Sequence, residues 1–327
     1  MAEVQSRPPH TTLSERRLFM AVTRGKLEMV SVLALGIFFA SAVARAETVL
    51  RYQFKQGETL PYTMEQKMKM DMKVGGKDVA MDMTQTIDMT WHIQSVDKEG
   101  KAKMTQKFDR LRLSMNSPLG KVDYDSKDGK LPEGPIGMAL GPILEALAGA
   151  EFSLTMDARG QTSDIKIPER LSEAFKKMPG GGGTGGNDLF SEVGINHMIE
   201  EVRMTLPEGA TTKGQSWTKE VALKMPFGKM KVDNTSTYEG PASRDGKQVE
   251  QIALKPKMTM EADGNAGLSA KLKTQDAKGT AYFDNKAGRL VESKMNQTME
   301  MEFSVGGQTI NQKVEGTMTV KLKDKEK

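Results

Sequence analysis

Residues 64–93, MEQKMKMDMKVGGKDVAMDMTQTIDMTWHI, constrain the fold of this chain more than any other stretch, because apolar and polar side chains alternate on both sides of a Gly-Gly pair. Side chains of an extended strand repeat every two residues. Met64, Met68, Met70, Met72 and Val74 therefore share one face, and Lys67, Lys69, Asp71 and Lys73 the other. Beyond Gly75-Gly76 the pattern resumes with Val79, Met81, Met83, Ile87, Met89, Trp91 and Ile93. The spacing predicts a β-hairpin with one buried face and one wet face. At ~3.3 Å per residue its returning arm is roughly 50 Å long and has to bend or bulge.

The same signature returns at residues 295–322. With Gly75-Gly76 laid on Gly306-Gly307, Met64, Gln66, Met68, Met70 and Val74 fall on Met295, Gln297, Met299, Met301 and Val305, and Met72 falls on Phe303. These are the first and last long hairpins of a β-rich region, which predicts that they pack near each other.

Residues 1–46 read as an export signal. Arg24 and Lys26 precede an apolar run over 29–39, and Ala44-Arg45-Ala46 supplies the small-residue motif, so cleavage is expected after Ala46. The run of about 11 residues is short of the ~20 that a membrane-spanning helix needs. Translation from Met20 would leave a signal of ordinary length. An exported protein, periplasmic or extracellular, with no transmembrane segment in the mature chain, is the expectation.

The whole chain carries a formal charge of +4. Removing the six Lys/Arg and three Asp/Glu of residues 1–46 leaves 41 basic against 40 acidic residues, so the mature charge is near zero and no nucleic-acid footprint remains. Cysteine is absent, which excludes disulfides, thiolate metal sites and thiol nucleophiles.

Between the hairpins, alternation predicts a short strand through Leu50, Tyr52 and Phe54. A further strand over 102–115 has a phase slip near Asp109 that implies a bulge. Asp123 to Gly129 resembles a calcium loop, but its carboxylates stand one place out of register, and an Asp-Gly turn accounts for it. Leu140, Ile143, Leu144 and Leu147 have helical spacing and predict an apolar helix over 136–150 with Pro142 in its first turn. A second helix follows Pro168, and a third is predicted from Asn187 or Asp188 to about Val202. GGGGTGG at 180–186 reads as a linker, since neither a preceding strand nor a following Gly-Lys-Ser/Thr accompanies it.

Turn markers recur in one order in both halves, from Gly57, Asp97 to Gly100 and Asp157 to Gly160 in the first to Gly214, Asp245-Gly246 and Asp284 to Gly288 in the second. The expected fold is mainly β (α+β), a long curved antiparallel sheet or incomplete barrel from two related halves, with two or three helices inserted between them. The organisation reads as a first β-rich half over 47–168, helices and linker over 169–206, and a second β-rich half over 207–327. LRYQFKQGET, LPEGATTKGQSWT and GTAYFDNKAGRLVES, in that order around the Met-rich hairpin, are similar to a family of exported bacterial domains of unknown function. The resemblance implies fold and is silent on activity.

Catalytic chemistry has little to rest on. His92 and His197 are about a hundred residues apart on different element types, no G-x-S-x-G, H-E-x-x-H or phosphate loop occurs, and no cofactor or catalytic residue is assigned. The compositional anomaly is methionine, 25 residues in all with 22 after Ala46. Thioether side chains are flexible and polarizable, and suit an apolar surface that takes ligands of varied shape. Met68, Met70, Met72, Met81, Met83, Met89, Met299, Met301 and Phe303 are the candidate lining of a site for an apolar small molecule or lipid. The soft-ligand alternative is Cu(I) on Met68, Met70 and Met72. A structural or interaction module without a ligand is the third class.

Overall fold

The computed structural model describes residues 47–74, 76–118, 120–176, 204–225, 228–261, 268–305 and 308–324. The expected export signal, the Gly-rich linker and the helix ending near Val202 lie outside the described residues. The chain opens with an extended strap over 47–56, followed by β1 (Thr59–Val74), β2 (Lys77–Val96), β3 (Ala102–Ser117) and the short β4 (Gly120–Asp125). Helix α1 (Gly134–Leu147) precedes β5 (Glu151–Met156) and β6 (Thr162–Lys166), after which comes α2 (Glu169–Lys176). The second half is a meander of β7 (Ser216–Met225), β8 (Gly228–Arg244), β9 (Lys247–Glu261), β10 (Leu268–Asp284), β11 (Arg289–Val305) and β12 (Gln308–Leu322).

All twelve strands form one antiparallel sheet in the order β6-β5-β3-β2-β1-β12-β11-β10-β9-β8-β7, with β4 beside β3. The sheet is mainly β architecture left open, with β6 and β7 as its edges. Its two ends in sequence meet at the centre, where β1 pairs with β12 from Tyr62↔Leu322 to Lys73↔Asn311. The two Met-rich hairpins therefore lie side by side as four consecutive strands, as expected from their positions.

Period-two patterning decides which way each strand faces. Tyr62, Met64, Met68 and Met70 on β1 stand opposite Met89, Ile87, Met83 and Met81 on β2, and opposite Leu322, Val320, Gly316 and Val314 on β12. Directly opposed residues share a face, so one apolar face runs across the sheet while lysines, aspartates and threonines occupy the other. Asp88 pairs with Arg110 and Met89 with Phe108, leaving Asp109 as the extra residue of a bulge at the predicted phase slip.

The two halves follow similar connectivity. β5 pairs with the first residues of β3 (Ala102↔Met156 to Lys107↔Glu151), and β10 pairs only with the first part of β9 (Glu250↔Phe283 to Leu254↔Gly279). In the first half the later part of β3 pairs with β4 (Arg112↔Asp125 to Ser117↔Gly120); in the second, the β9–β10 pairing among the described residues ends at Leu254↔Gly279.

Two local expectations change. The helix predicted over 136–150 begins at Gly134, because Pro135 supplies a preset φ and lacks the N–H that a first turn cannot satisfy. Pro142 is consequently inside the helix rather than in its first turn, and the helix ends at Leu147, where Ala148 turns extended. It lies between β4 and β5. The stretch through Leu50, Tyr52 and Phe54 alternates as predicted but does not join the sheet. Apart from an isolated bridge between Thr48 and Thr211, it crosses the apolar face as a strap, with Leu50 and Tyr52 buried against Tyr238, Ile252, Ala281 and Phe283.

The core is thus divided along the face. Beneath α1, Leu144 packs with Tyr62, Ile87, Trp91, Ile93, Met104 and Leu111. Beneath the strap lies a second cluster, and α2 seals a third with Leu171 and Ala174 against Ile143 and Phe152.

Candidate functional site

All nine residues singled out in the sequence lie on the apolar face, but they do not form one enclosure. Met68 faces Met83 and Met70 faces Met81, so four thioethers occupy adjacent positions on β1 and β2; Met72 faces Val79. Met299, Met301 and Phe303 face Val314, Gln312 and Ile310 across β11 and β12. Met89 is buried, with Gln106 Nε2 donating to its Sδ at 3.3 Å, and the other eight are half-buried. His92 is exposed beside Thr59, and no group of three or more His, Cys, Asp or Glu able to hold a metal occurs among the described residues.

An apolar recess of about 310 Å³ lies further along the same face, over β7 to β12. Its walls are Met204, Trp217, Met230, Val232, Leu254, Met258, Met295 and Met318, with the polar side chains of Thr205, Lys219, Asn234, Ser236, Gln275 and Gln297 among them. The recess arises from a local failure of strand pairing. After Leu254↔Gly279 the β9–β10 ladder stops, and Pro256, which has no N–H to donate, follows two residues later. Gln275 closes the gap with its side chain: Nε2 donates to the Pro256 carbonyl at 3.1 Å and Oε1 accepts from the Met258 N–H at 2.7 Å. One amide side chain thus takes the place of a peptide group in the ladder.

The floor depends on Gly279. A Cβ there would meet the Lys294 carbonyl oxygen at 2.5 Å and Met295 Sδ at 3.1 Å, so glycine is what lets Met295 lie close against β10. Met204 and Thr205 form the roof, and the strap and Trp217 hold their segment in place. Tyr52 Oη donates to the Met204 carbonyl at 3.3 Å, Arg51 Nη1 to the Pro207 carbonyl at 2.9 Å, and Trp217 Nε1 to the Thr205 carbonyl at 2.7 Å. The Leu206 N–H donates to the Arg159 carbonyl at 2.8 Å, which fixes this segment to the turn between β5 and β6.

Electrostatic perturbation is concentrated outside the recess. Burial raises the Tyr238 hydroxyl, reinforced by its hydrogen bond to Glu250. On the polar face, burial alone would raise Asp88, but hydrogen bonds from Thr63 and Lys323, with the charges of Lys323 and Arg112, hold it below the ordinary carboxylate range. The Arg110 guanidinium hydrogen-bonds Asp125 and brings it down to about 2. Two grooves of about 520 and 570 Å³ also open there, edged by Lys67, Lys69, Asp82 and Glu315 in one and by Asp71, Lys73, Asp78 and Lys313 in the other. They are the solvated side of the same hairpins.

Sequence reasoning ranked the densest M-x-M arrays and so passed over the residues that line the recess. Met258 and Met260 carry the same signal on a weaker scale, and a proline inside an alternating strand is a sign that its ladder is interrupted. Thr205 and Ser236 carry no sequence signal at all.

The family of unknown function DUF6263 is matched over residues 99–326, and the chain belongs to it. No curated protein matches. Among solved structures the chain is similar over 83% of its length to lipovitellin, at 10% identity and a TM-score of 0.45, and it spans about a quarter, 26%, of that chain. It is similar over 82% of its length to the translocator domain of the autotransporter NalP from Neisseria meningitidis (7% identity, 89% of that chain, TM-score 0.22). A DUF1329 family protein from Desulfovibrio piger is similar over 81% (9% identity, 87% of that chain, TM-score 0.14). Among the described residues, no helix is long and apolar enough to cross a membrane.

Proposed function

We propose that this member of the DUF6263 family is an exported, non-catalytic binding protein that holds an apolar or lipid-like ligand on the Met-lined face of its sheet. The observation that carries the reading is the recess over β7 to β12. Its walls are thioethers, Trp217, Val232 and Leu254, and its volume falls at the lower end of the ~300–1,000 Å³ usual for small-molecule sites. Thioether walls adapt to ligand shape at little conformational cost, which favours a class of apolar molecules over one exact partner. The stretch between β9 and β10 that only the Gln275 side chain bridges borders the recess through Pro256, Met258 and Gln275, and its release would give the ligand a lateral way in.

An uncharged naphthylamine dye should bind the mature protein saturably with a rise in fluorescence, and long-chain lipids should displace it. Val232→Trp, which places an indole in the recess, should weaken dye binding by about tenfold or more, equivalent to ~1.4 kcal/mol. A protein that takes up no dye, or a variant that binds as well as the parent while remaining folded, would sink the reading.

A second reading rests on the Met68, Met70, Met81 and Met83 quartet, whose register supplies soft ligands from two facing strands to one Cu(I) ion. Titration with Cu(I) would then saturate at one equivalent. Met81→Leu with Met83→Leu would abolish it, whereas Met72→Leu, on the residue opposite Val79, would not. Equal loss from all three would point to nonspecific thioether binding.

A further inference from the structure

Three polar residues of the recess, Asn234, Ser236 and Thr205, lie on its β7–β8 side. Asn234 and Ser236 stand two residues apart on β8 and therefore point to the same, apolar face, opposite Lys219 and Trp217 on β7 and opposite Pro256 and Leu254 on β9. Thr205 joins them from the roof, where its carbonyl is held by Trp217. Ser236 is 7% exposed and Thr205 9%. Thr205 Oγ1 is sealed from solvent without a hydrogen-bond partner. Neither Ser236 Oγ nor the Asn234 amide has a side-chain hydrogen bond to the described residues. Buried polar groups are almost always paired, and each exception in a native structure needs a reason. For Thr205 Oγ1, with Ser236 Oγ and the half-buried Asn234 amide in the same recess, that reason is a hydrogen-bonding group of the ligand.

We infer that the Asn234, Ser236 and Thr205 side of the recess is a headgroup subsite, and that the ligand is a single-chain amphiphile with an uncharged head that both donates and accepts hydrogen bonds. The inference rests on the proposed apolar-ligand reading and gives its ligand a polarity. Hydroxyl and amide groups offer donors and acceptors without net charge, which matches a hydroxyl or amide head. The charged residues of the lining are Lys219, which is engaged in an interaction of its own, and Lys255, whose partner Thr235 across β8 places it on the opposite face from Asn234 and Ser236. No carboxylate lines the recess to receive a cationic head. Elsewhere the walls are Met230, Val232, Met258, Met295 and Met318, which suit the tail. At ~30 Å³ for each water-sized group the volume holds roughly ten such groups, the length of one medium acyl chain and too little for two.

The test is displacement of the dye by three amphiphiles of equal chain length: monodecanoylglycerol, decanoate and decyltrimethylammonium. Monodecanoylglycerol should displace it at the lowest concentration. Ser236→Ala should weaken monodecanoylglycerol binding about tenfold more than it weakens dye binding, because only the former loses a buried hydrogen bond. Thr205→Val should act in the same direction, and since Thr205 Oγ1 has no partner to lose, its melting temperature should match or exceed that of the parent. Tightest binding by decanoate would overturn the inference and make Lys219 or Lys255 the headgroup residue. An equal effect of Ser236→Ala on dye and monodecanoylglycerol would also overturn it. If the dye itself does not bind, the apolar-ligand reading fails as well, whereas a dye that binds without head selectivity removes only the headgroup subsite.

Discussion

Gly288→Ala is expected to destabilise the protein by about 3 kcal/mol or more, well beyond an ordinary substitution at a turn glycine. Gly288 has φ +63°, a left-handed conformation that costs an L-residue roughly 1–2 kcal/mol by itself. A Cβ there would also stand 2.4 Å from the Gln53 backbone nitrogen and 2.4 Å from its Cβ. The strap would have to retreat and give up the Gln53 N–H bond to the Gly288 carbonyl, now 3.0 Å. Gly246→Ala is the internal comparison, since Gly246 has φ +74° with open space around the added carbon. Urea unfolding should place Gly246→Ala near the conformational cost alone and Gly288→Ala several times further, with m unchanged in both. Equal losses would show that the strap does not press on this turn.

The counterpart in the first half behaves alike. Gly160 has φ +85°, and a Cβ there would meet the Met204 carbonyl oxygen and the Tyr52 ring at 2.7 Å. Tyr52 N–H bonds the Ala158 carbonyl at 2.8 Å just as Gln53 N–H bonds Gly288. Two consecutive residues of the strap are therefore clamped between the equivalent turns of the two halves. Because the same turn at Gly160 supports Met204 and Thr205, the clamp also sets the roof of the recess, and stability and ligand binding are coupled through it.

This arrangement explains what could be read from the chain and what could not. Alternation from Met64 to Ile93 fixes the buried face, since a one-residue slip would expose every methionine. The broken phase at Asp109 locates a bulge to the residue, and the repeated hairpin implies the neighbouring position of β1 and β12. All of these are local or depend on a period of two. The position of the recess depends instead on where the apolar face is left uncovered. Leu50 and Tyr52 have the pattern of a strand, and nothing local distinguishes a strand from a strap lying across a sheet. The candidate lining followed the greatest sulfur density, whereas enclosure follows from Pro256, Gln275 and Gly279, which act through partners on other strands. Thr205 is legible only once Trp217 is seen to hold its carbonyl.

Arg289→Met should be the second large loss, about 3 kcal/mol, and it should be recovered when Glu58 is changed with it. Arg289 Nη1 and Glu58 Oε1 are 2.8 Å apart with side chains 17% and 12% exposed, joining the end of the strap region to the start of β11. Arg289 Nε also donates to the Ala287 carbonyl at 3.1 Å, which holds the guanidinium in place. Glu58 Oε2 has no other hydrogen-bond partner, so the carboxylate depends on this one cation. Removing Arg289 leaves a charge in a site largely withdrawn from water, a change that typically costs ~3–5 kcal/mol; the remaining exposure of both groups argues for the low end. An apolar pair avoids the desolvation of both ions, so Glu58→Met with Arg289→Met should restore most of the loss. Denaturant midpoints of the two single variants and the double variant measure the coupling directly. Losses that simply add would mean that the pair contributes nothing as a pair, and that this corner is held by the Gln53–Gly288 bond and by Tyr62, whose hydroxyl donates to the Leu290 carbonyl at 3.1 Å.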